Sequence, residues 1–162
     1  MHAAAIIQSL ALLALANSTP LFVKKLFGNW FAQPLDAGIA FFDGRPLFGR
    51  SKTLRGVLSS LLATTLGAVL IGLSPAIGII VAVTAMAGDL FSSFVKRRLA
   101  LVPSSQAIGL DQVPESLLPL LVCRTALSLN AIDIALAVTI FFAGELVLSR
   151  LLYKAHLRDE PY

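Results

Sequence analysis

Charge is scarce in this chain. Asp, Glu, Lys and Arg make up 14% of its 162 residues, against 57% hydrophobic residues, and the mean hydropathy is +0.84. A soluble domain carries about 25% charged residues, so that class is excluded and an integral membrane protein is indicated. Cysteine is nearly absent as well. The one thiol, Cys123, lies within an apolar run, which excludes a disulfide framework and a cysteine metal site and leaves a packing role. The two histidines, His2 and His156, stand at opposite ends of the chain, so no Ser-His-Asp set is available. No glycine-rich phosphate loop of the GxxxxGK type occurs. Internal repeats and low-complexity tracts are missing too.

What remains is a series of long apolar runs with cations at their ends. Crossing about 30 Å of hydrocarbon takes about 20 predominantly apolar residues. The sequence predicts five such spans, near 3–24, 55–73, 76–96, 113–130 and 131–152, hence an all-α bundle of five transmembrane helices forming one domain over 1–162. Residues 3–16 resemble a signal peptide ending at Ala14-Leu15-Ala16. No basic stretch precedes them, however, and Lys24 and Lys25 follow, an order that favours an anchor with its N-terminus outside. Ser74-Pro75 reads as an N-cap followed by proline at the first helical position, and Asn130 with Asp133 as a capping box. Pro20 and Pro119 interrupt the first and fourth spans.

Small residues at Ala63/Gly67 and Ala68/Gly72/Ala76 predict close packing of the second helix. The net charge of +4 does not point to nucleic acid, because the cations cluster beside apolar runs instead of covering a solvated face. Lys24, Lys25, Arg45, Arg50, Lys52 and Arg55 flank the first long connection, Lys96, Arg97 and Arg98 the second, and Arg150, Lys154 and Arg158 the tail. Five spans with the N-terminus outside put both long loops and the tail on the cytoplasmic side. Arg124 alone falls elsewhere. Arg124 and Glu145 lie inside predicted spans, where each requires a partner within the bundle.

The polar residues gather in two segments, 35–56 and 88–112, which hold four of the six aspartates. In GDLFSSFVKRRL, residues 88–99, Asp89, Ser92, Ser93 and Lys96 fall at i, i+3, i+4 and i+7 and share one helix face. Neither segment supplies a nucleophile with an adjacent base. Both supply what a reaction between two phosphates needs. Asp89 and Asp111 suit Mg²⁺, which takes carboxylate and phosphate oxygens. Lys52, Arg55, Lys96 and Arg97 suit phosphate oxygens.

This pattern resembles the CDP-archaeol synthases, relatives of the phosphatidate cytidylyltransferases. Members typically show LDGG, then DGRR and KTWRG, then GDL..SF.KRR and LDQLD, and a tail ending in Pro-aromatic. Here the corresponding stretches are LDAG, DGRPLFGRSKTLRG, GDLFSSFVKRR, LDQ and Pro161-Tyr162, with Asn17 to Pro20 also fitting. The resemblance implies transfer of CMP from CTP to a membrane lipid phosphate, with Mg²⁺, in the cell membrane at its cytoplasmic face. It assigns catalytic roles to Lys52, Asp89, Lys96 and Asp111, with Asp89 and Asp111 on the metal. Substrate contacts fall to Asp36, Asp43, Arg45, Thr53, Arg55, Ser93, Arg97 and Gln112.

The chain departs from the pattern at Pro114, where the second acid of LDQLD is missing and Glu115 follows, and at Ala37 and Leu54. Simpler roles compete for several residues: an ion pair for Asp89, an N-cap for Asp111, topology signals for the 96–98 cations and a turn for Asp43-Gly44. The lipid is expected to be an archaeal-type ether lipid phosphate, with phosphatidate as the alternative. A non-enzymatic anionic-lipid-binding or transport protein is the rival of another class. It does not account for acids and cations gathered in the same loops. Homodimerisation is an expectation from the lateral surface of so small a bundle.

Overall fold

The computed structural model describes residues 2–101, 105 and 107–154; Arg158, His156 and the Pro161-Tyr162 tail lie outside the described residues. Five helices follow one another: α1 (Ala3–Phe27), α2 (Leu54–Leu70), α3 (Pro75–Arg98), α4 (Gln112–Val122) and α5 (Ala131–Lys154). Each expected span thus contains a helix. Three of them, α1, α3 and α5, are long and apolar enough to cross a membrane, whereas α2 has 17 residues and α4 only 11.

Local chemistry explains most of the helix ends. The Ser74 side chain accepts from the Ala76 N–H at 3.2 Å, with Pro75 opening α3. Asn130 and Asp133 form the reciprocal box: Asp133 N–H donates to Asn130 Oδ1 at 2.9 Å and Asn130 N–H to Asp133 Oδ2 at 3.2 Å. The expected fourth span was too long. Beyond Val122 the chain continues in hydrogen-bonded turns, closed by Leu129 N–H donating to the Arg124 carbonyl with Ser128 at φ 54°. Hydropathy favours helix there, but Thr125, Ser128 and Asn130 are poor helix-interior residues, and the left-handed Ser128 closes the turns before α5 begins.

Among apolar surroundings, helices associate by close packing and interhelical hydrogen bonds. A Cβ at Gly78 would lie 2.7 Å from Thr65 Cα, so α3 touches the backbone of α2. At Gly88 it would lie 2.6 Å from Glu115 N, bringing the start of α4 onto α3. Ser60 Oγ donates to the Ala16 carbonyl at 2.8 Å, joining α2 to α1. The expected small-residue packing holds for Gly67 and Ala68, which are buried, but not for Gly72 and Ala76. α2 stops at Leu70, and Gly72 instead supplies the left-handed turn, φ 78°, that closes it.

The apolar core, which includes Ile6, Leu12, Ala68, Val81, Leu120, Leu127 and Phe141, occupies the half where α1, α3 and α5 begin. This is called the far end below. The opposite, polar end carries residues 28–53, which form a folded cap. Pro34 pairs with Thr53 and Ala40 with Pro46 as isolated antiparallel bridges. The Asp36 carboxylate accepts from the backbone N–H of Gly38, Phe48 and Gly49 at 3.1, 3.0 and 2.9 Å.

Candidate active site

The cap sets Lys52 in place through its backbone: Leu35 N–H donates to the Lys52 carbonyl at 2.8 Å, one step from the Pro34–Thr53 bridge. Its ammonium then reaches both oxygens of Asp89 on α3 at 2.6 Å. A second ion pair lies deeper. Lys96 Nζ approaches Asp111 Oδ1 at 2.6 Å and donates to the Ser105 carbonyl at 3.0 Å. Asp111 Oδ2 accepts from the Ala107 N–H at 2.8 Å, so its side chain does not cap α4. The Gln112 side chain, fully buried, accepts from Gly109 N–H at 2.8 Å through Oε1. Its Nε2 has no hydrogen-bond partner among the described residues.

Both ion pairs line one cavity of about 460 Å³ at the polar end. Thr53, Arg55 and Gln112 also line it, as do Glu115 and Glu145, whose carboxyl groups are neighbours. Glu115 therefore enters the cavity one residue after the missing acid, and its Oε1 is buried with no partner among the described residues. The sequence flagged Glu145 only as a costly intramembrane acid; its pairing with Glu115 bridges 30 positions and leaves no local trace. Asn17, Lys24 and Arg50 line the cavity as well. The two cations had been read as topology signals, and Asn17 had only its fit to the family pattern.

Five expected site residues do not line this cavity. Asp36 organises the cap; burial pushes its carboxyl up, but the hydrogen bonds from Gly49, Phe48 and Gly38 outweigh this and hold it below the ordinary 3.8. Asp43 accepts from Arg45 N–H at 3.1 Å in the turn containing Gly44, φ 76°, and pairs with Arg98 at 2.7 Å. Arg45 donates to the Arg98 carbonyl at 2.5 Å, answering the end of α3. The Arg98 guanidinium lies 4.9 Å from the Phe41 and Phe94 ring centres. Ser93 and Arg97 are buried, Arg97 beneath the cap, 3.7 Å from where a Cβ on Gly49 would stand.

The polar stripe on α3 thus divides. Asp89 and Lys96 face the cavity, while buried Ser92 bonds back to the Gly88 and Asp89 carbonyls at 3.1 Å. Arg55 lines the cavity, but its guanidinium donates to the carbonyls of Gly28 and Trp30. Among the described residues the expected inward partner for Arg124 is not found. The residue is exposed near the far end, in the turns beyond the short α4, at the opposite end of the bundle from Glu145.

The donor set fits a hard divalent cation. Among the described residues no group of three or more His, Cys, Asp or Glu forms a metal cluster. A magnesium-sized ion needs only one or two carboxylates when substrate phosphates and water complete its shell. Asp89 and Asp111 offer such oxygens beside two lysines.

A bundle of apolar helices enclosing a cavity lined by carboxylates and lysines defines a membrane enzyme that handles phosphate. The model of the CarS-like CDP-archaeol synthase family matches residues 5–79 and 67–162, and the chain belongs to that family. It is 32% identical over 158 residues to a CDP-archaeol synthase of Sulfurisphaera tokodaii, covering 91% of this chain and 89% of the relative. A CDP-archaeol synthase of Pyrococcus furiosus is 39% identical over 107 residues, 60% of each chain. A solved intramembrane enzyme for archaeal membrane lipids biosynthesis superposes with a TM-score of 0.70 at 28% identity, over 85% of this chain and 90% of that one.

Proposed function

We propose that the chain transfers CMP from CTP to an archaeal-type ether lipid phosphate. The observation that carries this reading is the convergence of Lys52–Asp89 and Lys96–Asp111 on one cavity. An ionised lipid phosphate is already a nucleophile, so no protein base is required. Its oxygen bonds to the α-phosphorus of CTP as the bond from that phosphorus to the bridging oxygen of the β-phosphate breaks, and pyrophosphate leaves. Lys52 and Lys96, each now neutralised by a carboxylate, exchange that partner for phosphate oxygens and spread the developing charge. Asp89 and Asp111 would hold Mg²⁺, which when bound neutralises phosphate oxygens. Gln112 Nε2 is a buried donor awaiting an acceptor from the substrate. Thr53 and Arg55 border the nucleotide, while Asp36, Asp43, Arg45 and Arg97 hold the cap above it.

In this reading the chain crosses the bilayer five times, α4 doing so together with the turns of 123–130, with the N-terminus outside and the cavity facing the cytoplasm. CTP arrives from water and the lipid from the membrane. The test is the fate of label. With purified protein, CTP labelled at the α-phosphate should yield labelled lipid, while label at the γ-phosphate should appear in pyrophosphate. Label from the γ-position in the lipid would mean phosphorylation and would overturn the proposal.

A further inference from the structure

The turn at the end of α1 presents aromatic rings in an unusual manner. Phe31 has φ 52°, a left-handed conformation that a bulky residue adopts only when its surroundings impose it. Arg55 ties the turn down from the inside, donating to the carbonyls of Gly28 and Trp30. Gly28, Asn29 and Ala32 line the polar cavity. Trp30 and Phe31 point the other way, 70% and 77% exposed, with ring centroids 5.4 Å apart in an edge-to-face pair. A fixed turn with strained backbone is thus holding two large rings out of the protein.

Their surroundings identify what covers them. Phe22, Leu26 and Phe27 on α1 are 54%, 77% and 49% exposed, so the apolar surface of a membrane-crossing helix continues without a break into the aromatic pair. Lys24 and Lys25, in the same last turns, are exposed at the mouth of the cavity they help to line. At 25 residues α1 is about 37 Å long, longer than the roughly 30 Å of hydrocarbon it crosses. Its last turn therefore reaches the headgroup zone, where amphipathic rings and lysines are both favoured.

We propose that the Trp30–Phe31 turn is an interfacial anchor, seated among lipid headgroups, that fixes the mouth of the polar cavity at that depth. A water-facing turn gains nothing from holding two rings outward, whereas a headgroup-seated one lets the cavity meet a lipid phosphate without lifting it from the bilayer.

The chain has one tryptophan, so the unmodified full-length protein reports on this directly. In vesicles of phosphatidylcholine and phosphatidylglycerol, Trp30 emission should be blue-shifted from that of hydrated tryptophan. It should be quenched more by lipids brominated near the headgroup than by lipids brominated near the chain end, and weakly by aqueous acrylamide. Strong acrylamide quenching without a lipid effect would put the turn in water and overturn the proposal. Emission shielded from both quenchers would mean protein, such as a second copy, covers the rings, and would overturn it equally. A second test rests on the proposed transfer reaction: Trp30→Ala/Phe31→Ala should raise KM for vesicle-embedded lipid phosphate several-fold and leave KM for CTP unchanged, with Trp30→Tyr restoring it. An equal rise in both constants would indicate a general structural defect and contradict the anchor. The fluorescence result stands whether or not the transfer reaction is observed.

Discussion

The two ends of this bundle bury carboxylates in opposite ways. At the far end Asp133, fully buried, is answered by protein: His2 N–H at 3.1 Å, His2 Nδ1 at 2.8 Å and Asn130 N–H at 3.2 Å. Beside it, short turns close the helices, with Leu73 N–H donating to Ala68 O at 2.8 Å. At the polar end Asp89 is held, among the described residues, by the Lys52 ammonium alone, and Asp111 by the Lys96 ammonium and the Ala107 N–H. Glu115 meets another carboxyl, and Gln112 Nε2 meets nothing among the described residues. An unanswered buried polar group is costly. Where backbone and caps supply the answer, the group serves the fold. Where it faces a cavity beside charged groups, the proposed function supplies the missing partner as a substrate.

Substitutions at the two ends should therefore separate. The largest effect is expected for Asp89→Asn: turnover should fall at least about 100-fold while thermal unfolding in detergent changes little. Activity near the parent value would remove Asp89 from the chemistry. Lys52→Ala should raise KM for CTP about tenfold or more, the worth of a charge-assisted hydrogen bond. At the far end Asp133→Ala should cost about 1–2 kcal/mol of stability and leave KM for CTP unchanged; a shifted KM would blur the distinction drawn here. Ser74→Ala should cost about 0.5–1 kcal/mol, again without a kinetic effect.

The smallest effect is at Asp36. Its pKa is lowered in the folded chain, so it contributes stability above the unfolded value and loses that contribution as pH falls through the folded one. Asp36→Asn should make the stability difference from the parent shrink on acidification. A difference that does not change with pH would contradict the hydrogen-bonded carboxylate.

How much of this was legible in the sequence depended on range. Ser74-Pro75 and Asn130/Asp133 were readable because caps act within three residues. Helix identity was readable from hydropathy, but helix length was not: α4 stops at Val122 and the chain goes on in turns that the left-handed Ser128 closes, which no apolar count reports. Lys52 and Asp89 were brought together by motif resemblance, since 37 positions separate them. Gly88 looked like an ordinary motif glycine, yet its missing side chain admits the backbone of Pro114 and Glu115. The roles of Asp36, Asp43 and Arg45 in holding the cap depend on partners up to 55 positions away, beyond any periodicity argument.

The central claim is that the polar end exists to join two phosphates. The most direct measurement is pyrophosphate release by purified protein with CTP and Mg²⁺, comparing digeranylgeranylglycerol phosphate, phosphatidate and no lipid, with Asp89→Asn as control. The account predicts release that depends on the ether lipid phosphate and is lost in the variant. Equal release without lipid, or none with either lipid from protein shown to be folded, would contradict it.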